Sequence, residues 1–312
     1  MLYSRIRLSD GEERQVARVI MGTTQFGTRL DRDQVFRLLD QYWQAGGNAI
    51  DTARVYGSWI PGHEDDSPSE RAVGEWIRSR GVEKEVFLIT KGGHPPLRDM
   101  KHGRLGRQDV FHDLEKSMDA LGVGKIDLYY LHRDDTSLPA EEIMDTLFEA
   151  QKTFPVKALG ASNWRAKRIQ EANRYADTKG KAGFTASEIR WSYVDYSQAH
   201  DDPTLVTMDQ AEYEQYKNMD LAVMAYSSQG NGLFQKGFKA DLSDASEKYR
   251  AMVTPENIRR YQALLDRCQR TGATPDQVVI RYIVDNPDIR AFSLVGCSNV
   301  EQLARSLDAV KA

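Results

Sequence analysis

Three polar residues with acid–base chemistry follow apolar runs of the sequence at even intervals. Asp51 ends NAID, Lys91 follows VFLIT, and His132 follows IDLYYL. The separation is 40 residues from Asp51 to Lys91 and 41 from Lys91 to His132, about one strand–helix unit each. Tyr56 follows Asp51 by five residues. Because the carboxyl ends of parallel strands meet at one edge, all four side chains are predicted to share one rim.

A carboxylate, an ammonium, an imidazole and a phenol at one rim indicate a proton-transfer site. A phenol is a weak acid, with an ordinary pKa of about 10. An adjacent Lys91 would ease proton donation by Tyr56, while a buried Asp51 would keep the ammonium charged and fixed. An imidazole beside the phenol can orient a carbonyl oxygen or relay a proton, as expected of His132. The set predicts a carbonyl group polarised for attack by a hydride.

Each of the four residues also has a structural alternative. An aspartate before a threonine at a strand end commonly caps a turn, and a lysine is usually solvated. A tyrosine can simply pack, and a histidine after an apolar run can be a hydrogen-bonded core residue. One shared site explains four matching positions at once, which favours the functional interpretation.

The composition indicates a globular protein without nucleic-acid or membrane partners. Of 312 residues, 40% are hydrophobic and 28% are charged, so the chain can bury a large core as a single domain over residues 1–312. The net charge of −4, with basic residues interspersed among acidic ones, gives no electrostatic footprint for nucleic acid. The N-terminus lacks the apolar core of a signal peptide, and no apolar run approaches the ~20 residues of a membrane span. A cytoplasmic protein is expected.

The order of elements alternates strands and helices. Residues 2–16 are predicted to form a hairpin that plugs one barrel end, since YSRIRL alternates polar and apolar residues before a turn. Short apolar runs then alternate with amphipathic stretches eight times, and one extra helix precedes the last strand. The pattern predicts an α/β fold, a closed (β/α)8 or TIM barrel. Long irregular stretches follow strands on the rim where barrels carry active sites, at 57–68, 92–106, 191–207 and 227–254.

The segments around these four residues resemble the aldo-keto reductase superfamily over nearly the whole chain. The segment from Asp51 to Gly57, DTARVYG, is similar to the family's catalytic-tyrosine signature, and ITKGG and DLYYLHRDD are similar to its lysine and histidine strands. The resemblance implies reversible, NAD(P)-dependent reduction of an aldehyde or ketone. It implies Tyr56 as general acid, Lys91 lowering its pKa, Asp51 bracing Lys91, and His132 orienting the substrate. It implies no metal.

The resemblance also implies residues of a nicotinamide cofactor cleft. Ser162 and Asn163 are similar to the pair that hydrogen-bonds the nicotinamide carboxamide, and Tyr226 to the aromatic residue that stacks on the ring. The alternative role of Asn163 is a helix N-cap. Small residues that would let backbone N–H groups approach phosphate oxygens lie in the loop that resembles the family's pyrophosphate loop, at Ser227, Gly232 and Leu233. No G-x-G-x-x-G fingerprint follows the first strand, so a Rossmann mode of binding is not predicted.

Two departures from the family's pattern leave the cofactor open. Glu188 stands where relatives usually carry glutamine, and an ionised carboxylate cannot donate to the carboxamide oxygen. The tail segment, in which Gly296, Ser298 and Gln302 resemble cofactor contacts, lacks the basic residue that often meets the 2′-phosphate. Arg305 lies close by in sequence. Both NADP(H) and NAD(H) therefore remain alternatives.

The rim loops are expected to select a small carbonyl or alcohol substrate. Trp59 and His63 follow the tyrosine directly, and Trp164 follows Asn163, so these three are candidates for the substrate pocket. Polar residues near the same rim favour a sugar-like substrate, namely Arg54, His94, Arg133 and Asp134.

Two other functions stay open at this point, and the monomeric or homo-oligomeric state is not predicted. One is a cofactor-sensing regulatory protein that resembles the potassium-channel beta subunits. The other is a metal-dependent barrel hydrolase using Asp51, His94 and His132. The sequence has no H-x-H strand motif, which speaks against the hydrolase.

Overall fold

The computed structural model describes residues 1–197 and 202–311. The strands in this part are β1 Tyr3–Arg7, β2 Glu13–Ala17, β3 Val19–Gly22, β4 Ala49–Asp51, β5 Phe87–Gly92, β6 Leu128–Leu131, β7 Leu159–Ser162, β8 Phe184–Arg190, β9 Ala222–Tyr226 and β10 Ala291–Val295. Strands β3 to β10 are parallel and close into a barrel in chain order, with β10 paired to β3. The predicted (β/α)8 barrel is confirmed. Residues 198–201 of the predicted 191–207 loop lie outside the described residues.

The N-terminal hairpin closes one end of the barrel, as predicted. Strands β1 and β2 pair antiparallel, and the buried side chains of Ile6, Leu8 and Val16 pack in one cluster with Phe87 and Ala222, which begin barrel strands. Burying an aliphatic side chain of this size contributes roughly 1.5–3 kcal/mol relative to exposure. Because the hairpin covers the amino ends of the strands, the carboxyl ends remain as the open face.

Helices cover the outside of the barrel. They are α1 Arg32–Gln44, α2 Pro68–Arg80, α3 Arg107–Leu121, α4 Ala140–Thr153, α5 Ala166–Thr178, α6 Gln210–Tyr216, α7 Pro255–Thr271, α8 Pro275–Val284 and α9 Val300–Asp308. In the described residues no helix is both long and apolar enough to cross a bilayer.

Local sequence explains where the helices begin. The α8 helix starts with a capping box in which Thr274 accepts from the Gln277 backbone and the Gln277 side chain accepts from the Thr274 backbone. Pro275 occupies the first turn, where its missing N–H leaves no helix hydrogen bond unmade. Helix α7 is the additional helix, and it lies next to α8, which contacts β10. Between β9 and α7 the chain forms two 3₁₀ helices, Gly230–Gln235 and Glu247–Met252.

Strand register brings the polar residues to one level of the barrel. Asp51 ends β4 opposite Ile89, two residues before Lys91 on β5. His132 directly follows β6, and its N–H donates to the Gly92 carbonyl oxygen at 2.8 Å. On the far side, Ser162 at the end of β7 pairs with Glu188 on β8. The carboxyl-terminal parts of five strands, β4 to β8, thus bring these residues to one level near the open face.

Candidate active site

Lys91 lies at the centre of the polar cluster and is fully buried. Its Nζ donates to Asp51 Oδ1 at 2.5 Å and to the Tyr56 hydroxyl at 3.2 Å. It also donates to the Thr52 carbonyl oxygen at 3.0 Å. Glu188 Oε2 lies 3.4 Å from the same nitrogen. One ammonium therefore joins two carboxyl groups and the phenol.

The two carboxyl groups share one cation in a buried setting. Burial and then the adjacent Asp51 charge raise the pKa of Glu188 to about 8, although Lys91 opposes the rise. Burial also raises the pKa of Asp51 against the charge of Lys91. Burial would lower the pKa of Lys91, but the charges of Asp51 and Glu188 outweigh it and raise that pKa. Because adjacent carboxylates repel each other at low dielectric, the pair holds one proton more tightly than isolated carboxyl groups do, and the Glu188 pKa of about 8 places that proton on Glu188 at neutral pH.

The pKa of the Tyr56 hydroxyl is set by two opposing effects. Burial raises the pKa of Tyr56 to about 12, and the charge of Lys91 opposes the rise. Lys91 thus acts in the expected direction, and in the protein alone burial outweighs its effect on the pKa of Tyr56. The phenol consequently keeps its proton at neutral pH, which is the form that can donate.

His132 is a neutral imidazole beside the phenol. Its ring lies 5.8 Å from the Tyr56 ring and 4.9 Å from the His94 ring, centroid to centroid. Burial first, and then the Arg133 charge, hold the pKa of His132 well below its usual range. Its Nδ1 is buried and has no hydrogen-bond partner among the described residues. A neutral imidazole can present one N–H to a carbonyl oxygen without adding charge.

A cavity of about 640 Å³ opens at the carboxyl ends of the strands. Most of the predicted site residues line this cavity, namely Asp51, Tyr56, His132, Asn163, Glu188, Tyr226, Ser227, Gly232, Gly296, Ser298 and Gln302. Lys91 lies behind this wall and reaches it through Asp51 and Tyr56. The cavity therefore joins the polar cluster to the segments expected to hold a cofactor.

The amide of Asn163 is held by a hydrogen-bond network. Asn163 adopts a left-handed backbone, with φ of 58°. Its Oδ1 accepts from the Tyr226 hydroxyl at 2.7 Å and from the Val206 N–H at 3.1 Å. Its Nδ2 donates to Ser162 Oγ at 3.1 Å. Ser162 is wholly buried behind Asn163 and does not line the cavity, so only Asn163 of the predicted pair faces it. The N-cap alternative does not hold, since helix α5 begins after Arg165.

The predicted phosphate loop reaches the cavity only in part. Ser227 and Gly232 line the cavity and have positive φ angles of 52° and 82°. The Gly232 N–H, however, donates to the Gln229 carbonyl oxygen at 3.0 Å within the 3₁₀ turn. Leu233 is fully buried against the core and does not line the cavity. Leu233 therefore contributes no side chain to the cavity surface, and its role in binding the pyrophosphate through its backbone stays a prediction.

Three basic residues at the outer end of the cavity supply charge that the tail alone lacks. Arg305, noted in the sequence as close to the tail, lines the cavity with Lys236 and Lys248. Sequence reasoning missed both lysines. Lys236 lies four residues after Gly232 and could have been found from that spacing. Nothing in the sequence marks Lys248, which a 3₁₀ helix in the long segment after β9 brings to this wall.

The predicted substrate residues do not act as one group. Trp59 is 44% exposed, and its ring lies 6.4 Å from the Tyr56 ring. His63 Nδ1 lies 3.2 Å from Asp66 Oδ2, within the loop, and His63 does not line the cavity. Trp164 is fully buried, and its ring packs 5.2 Å from that of Phe184. The expectation that Trp164 forms a pocket wall is wrong, because its side chain packs into the hydrophobic core.

No group of three or more His, Cys, Asp and Glu side chains in residues 1–197 and 202–311 is placed to hold a metal ion. The hydrolase alternative would need Asp51, His94 and His132 to converge. Instead, Asp51 Oδ1 accepts from Lys91, and His94 Nδ1 lies 2.7 Å from the Pro95 carbonyl oxygen.

A parallel barrel in which a phenol and an imidazole line one cavity, with a buried ammonium in contact with the phenol, defines a barrel enzyme with proton-transfer chemistry. Residues 18–312 match the profile of the aldo/keto reductase family, and the chain belongs to this family. It is an aldo-keto reductase and hence an oxidoreductase enzyme.

Three similar proteins carry oxidoreductase names. An uncharacterized oxidoreductase of Bacillus subtilis is 24% identical over 95% of this chain and 88% of its own. A norsolorinic acid reductase of Emericella nidulans is 27% identical over 94% of this chain and 74% of its own. A probable aryl-alcohol dehydrogenase of Saccharomyces cerevisiae is 24% identical over 90% of this chain and 84% of its own.

Proposed function

We propose that the protein, acting as one domain, reversibly reduces an aldehyde or ketone with a nicotinamide cofactor bound along the cavity. The observation that carries this proposal is the contact of one buried ammonium, Lys91 Nζ, with both Asp51 Oδ1 and the Tyr56 hydroxyl. A phenol that keeps its proton at neutral pH and faces a cavity can donate that proton to a carbonyl oxygen.

The chain's own residues would bind the carbonyl and supply the proton. The cofactor supplies the hydride when bound. The Tyr56 hydroxyl donates its proton to the carbonyl oxygen, and Lys91 stabilises the phenolate left behind, since a positive charge at 3.2 Å favours the anion. Asp51 holds Lys91 in place and charged. His132, neutral and buried, orients the carbonyl oxygen.

Several features of the cavity fit a dinucleotide. At the inner end, Glu188, Asn163 and Tyr226 line the cavity wall with a carboxyl group, an amide and a phenol. The carboxamide of a nicotinamide ring can form hydrogen bonds with carboxyl, amide and hydroxyl groups of this kind. The wall continues past Ser227 and Gly232 to Gly296, Ser298 and Gln302, so one cavity spans all but Ser162 and Leu233 of the cofactor contacts implied by the family resemblance.

We propose NADP(H) rather than NAD(H) as the preferred cofactor. Three cations line the outer end of the cavity, Lys236, Lys248 and Arg305. Asp276, which lines the same wall, lies 3.7 Å from Arg305 and offsets part of this charge. The remaining positive charge favours a ligand with an additional phosphate group.

The substrate end of the cavity contains both polar and aromatic groups. Arg133 lines the cavity next to His132, which favours a substrate with hydroxyl groups, such as a sugar-like aldehyde. Trp59, which is 44% exposed and lies near Tyr56, favours an aromatic substrate. Relatives named for aryl alcohols favour the same class of substrate. A panel should therefore contain aldehydes of both classes.

Steady-state turnover of this panel with NADPH tests the proposal. We expect oxidation of NADPH that depends on the aldehyde and falls by about 10²–10⁴ in Tyr56→Phe. The matched control is Tyr175→Phe, which removes a hydroxyl bonded to Asp145 on the outer helices and should turn over normally. Tight NADPH binding without turnover of any carbonyl compound would contradict the proposal and favour the cofactor-sensing alternative.

A further inference from the structure

We propose that Glu188 sets the preference of the site between the oxidised and the reduced nicotinamide. It does so by presenting either a neutral acid or a carboxylate to the ring, so that the preference depends on pH. This inference rests on the proposed function, because it requires a nicotinamide in the cavity.

The position of Glu188 places it beside both the cavity and the polar cluster. Glu188 lines the cavity and is 2% exposed, and its Oε2 forms an ion pair with Lys91 Nζ. It and Tyr56 lie within 3.4 Å of the same Lys91 nitrogen. A hydride donor must come within about 3–3.5 Å of the carbonyl carbon that Tyr56 serves. A nicotinamide ring placed for this transfer would lie in the part of the cavity that Tyr56 and Glu188 both line.

The charges that surround Glu188 come from several elements. Asp51 faces it from β4 and Lys91 from β5, while Tyr56 follows β4 and Tyr130 lies on β6. The flanking strand residues Ser162 and Met224 carry no charge. With both carboxyl groups ionised the cluster has one negative charge in excess, and with Glu188 protonated it is neutral. The pKa of Glu188, raised by burial to about 8, supports a protonated resting form.

The two forms of the cofactor respond differently to this charge. The oxidised nicotinamide ring carries a positive charge and the reduced ring carries none. A Glu188 carboxylate attracts the oxidised ring, whereas a protonated Glu188 does not distinguish the two forms by charge. Binding of the oxidised form should thus release the Glu188 proton to solvent, and its affinity should rise with pH. Glutamine in the same place would carry no charge at any pH.

The ratio of the dissociation constants for NADPH and NADP⁺ tests this inference. Both are measured by quenching of tryptophan fluorescence from about pH 6 to about pH 9, and titration of the cofactor phosphates largely cancels in the ratio. In the native protein NADP⁺ should bind more tightly as the pH rises, so the Kd of NADPH divided by the Kd of NADP⁺ should rise about tenfold over this range. A tenfold rise corresponds to a shift of one unit in the pKa of Glu188 when NADP⁺ binds. In Glu188→Gln the ratio should not change with pH.

Glu70→Gln is the matched control. Glu70 is also fully buried, burial raises its pKa, and its Oε1 accepts from Thr90 at 2.5 Å, but it does not line the cavity. This variant should keep the native pH dependence. A pH-independent ratio in the native protein, or the same rise in Glu188→Gln, would overturn the inference and leave the proposed function standing. Failure of the native protein to bind either form would overturn the proposed function as well.

Discussion

Charge is arranged in opposite ways at the two ends of the cavity. At the inner end, Asp51, Lys91 and Glu188 are at most 2% exposed and held by short contacts. At the outer end, Lys236, Lys248 and Arg305 are exposed, and the Arg305 side chain retains 57% of its accessible surface. Buried charges interact strongly and are poorly screened, whereas exposed charges are screened over about 10 Å in 0.1 M salt.

The difference separates chemistry from ligand capture. A buried cluster can hold protons on defined atoms, because any change of its charge is costly. An exposed cluster can attract a phosphate-bearing ligand without fixing one geometry. We therefore expect changes at the inner end to act on turnover with little salt dependence, and changes at the outer end to act on binding with strong salt dependence.

The largest effect is expected from Lys91→Met. Loss of the ammonium should lower kcat by about 10³, because nothing else nearby stabilises the Tyr56 phenolate. The fold should persist, since Asp51 and Glu188 can each take up a proton. Turnover with NADPH and the circular dichroism spectrum measure the two effects. Lys167→Met on the exposed face of α5 is the control, and substantial turnover by Lys91→Met would rule out the assigned acid mechanism.

Asp51→Asn should have a smaller effect, and it probes the sharing of one cation by two carboxyl groups. Glu188 can ionise and pair with Lys91 once Asp51 is neutral, so kcat should fall by only about 10–100-fold. The double variant Asp51→Asn with Glu188→Gln removes both partners and should approach the Lys91→Met level. If the double variant is no slower than Asp51→Asn, the two carboxyl groups do not substitute for each other. Asp33→Asn, at an exposed position on α1, is the control.

Lys236→Ala and Lys248→Ala should act on binding. Each should raise the Kd of NADPH roughly up to tenfold in low salt, and much less in high salt because the lost attraction is then screened. Fluorescence titrations at two salt concentrations provide the measurement. Lys239→Ala changes an exposed lysine of the same segment that does not line the cavity. An equal increase in the Kd of NADPH at both salt concentrations would mean that the exposed lysines do not attract the cofactor by their charge.

The smallest effect concerns stability. The pKa of Glu188 is higher in the folded protein, about 8, than its ordinary value of 4.5. The folded state therefore binds more protons between these values, so this stability is present at low pH and lost as pH rises toward 8. Glu188→Gln should remove that loss and exceed the native Tm by a few degrees at pH 8 but not at pH 5. The same difference in Tm between Glu188→Gln and the native protein at pH 8 and at pH 5 would contradict this prediction.

Most of the fold could be predicted from local sequence patterns. The alternation of strands and helices could be predicted in this way because a helix start and stop depend on neighbouring residues, as where α3 ends at Leu121 just before Gly122. The rim position of Asp51, Lys91 and His132 followed from their spacing alone. The directions of Trp164 and Leu233 were not predictable in this way, because a side chain near a strand end can face either the cavity or the surrounding core.

The sequence by itself determined the barrel, the level at which the reactive residues stand, and their chemical types, since these follow from periodicity and the repeat of strand and helix. Only the tertiary structure decided which groups share a proton. It joined Glu188 to Lys91, buried Tyr56 enough to outweigh the effect of Lys91 on its pKa, and brought Lys248 to the cavity. Protonation depends on burial and on charges from distant parts of the chain, and neither is encoded in any local segment.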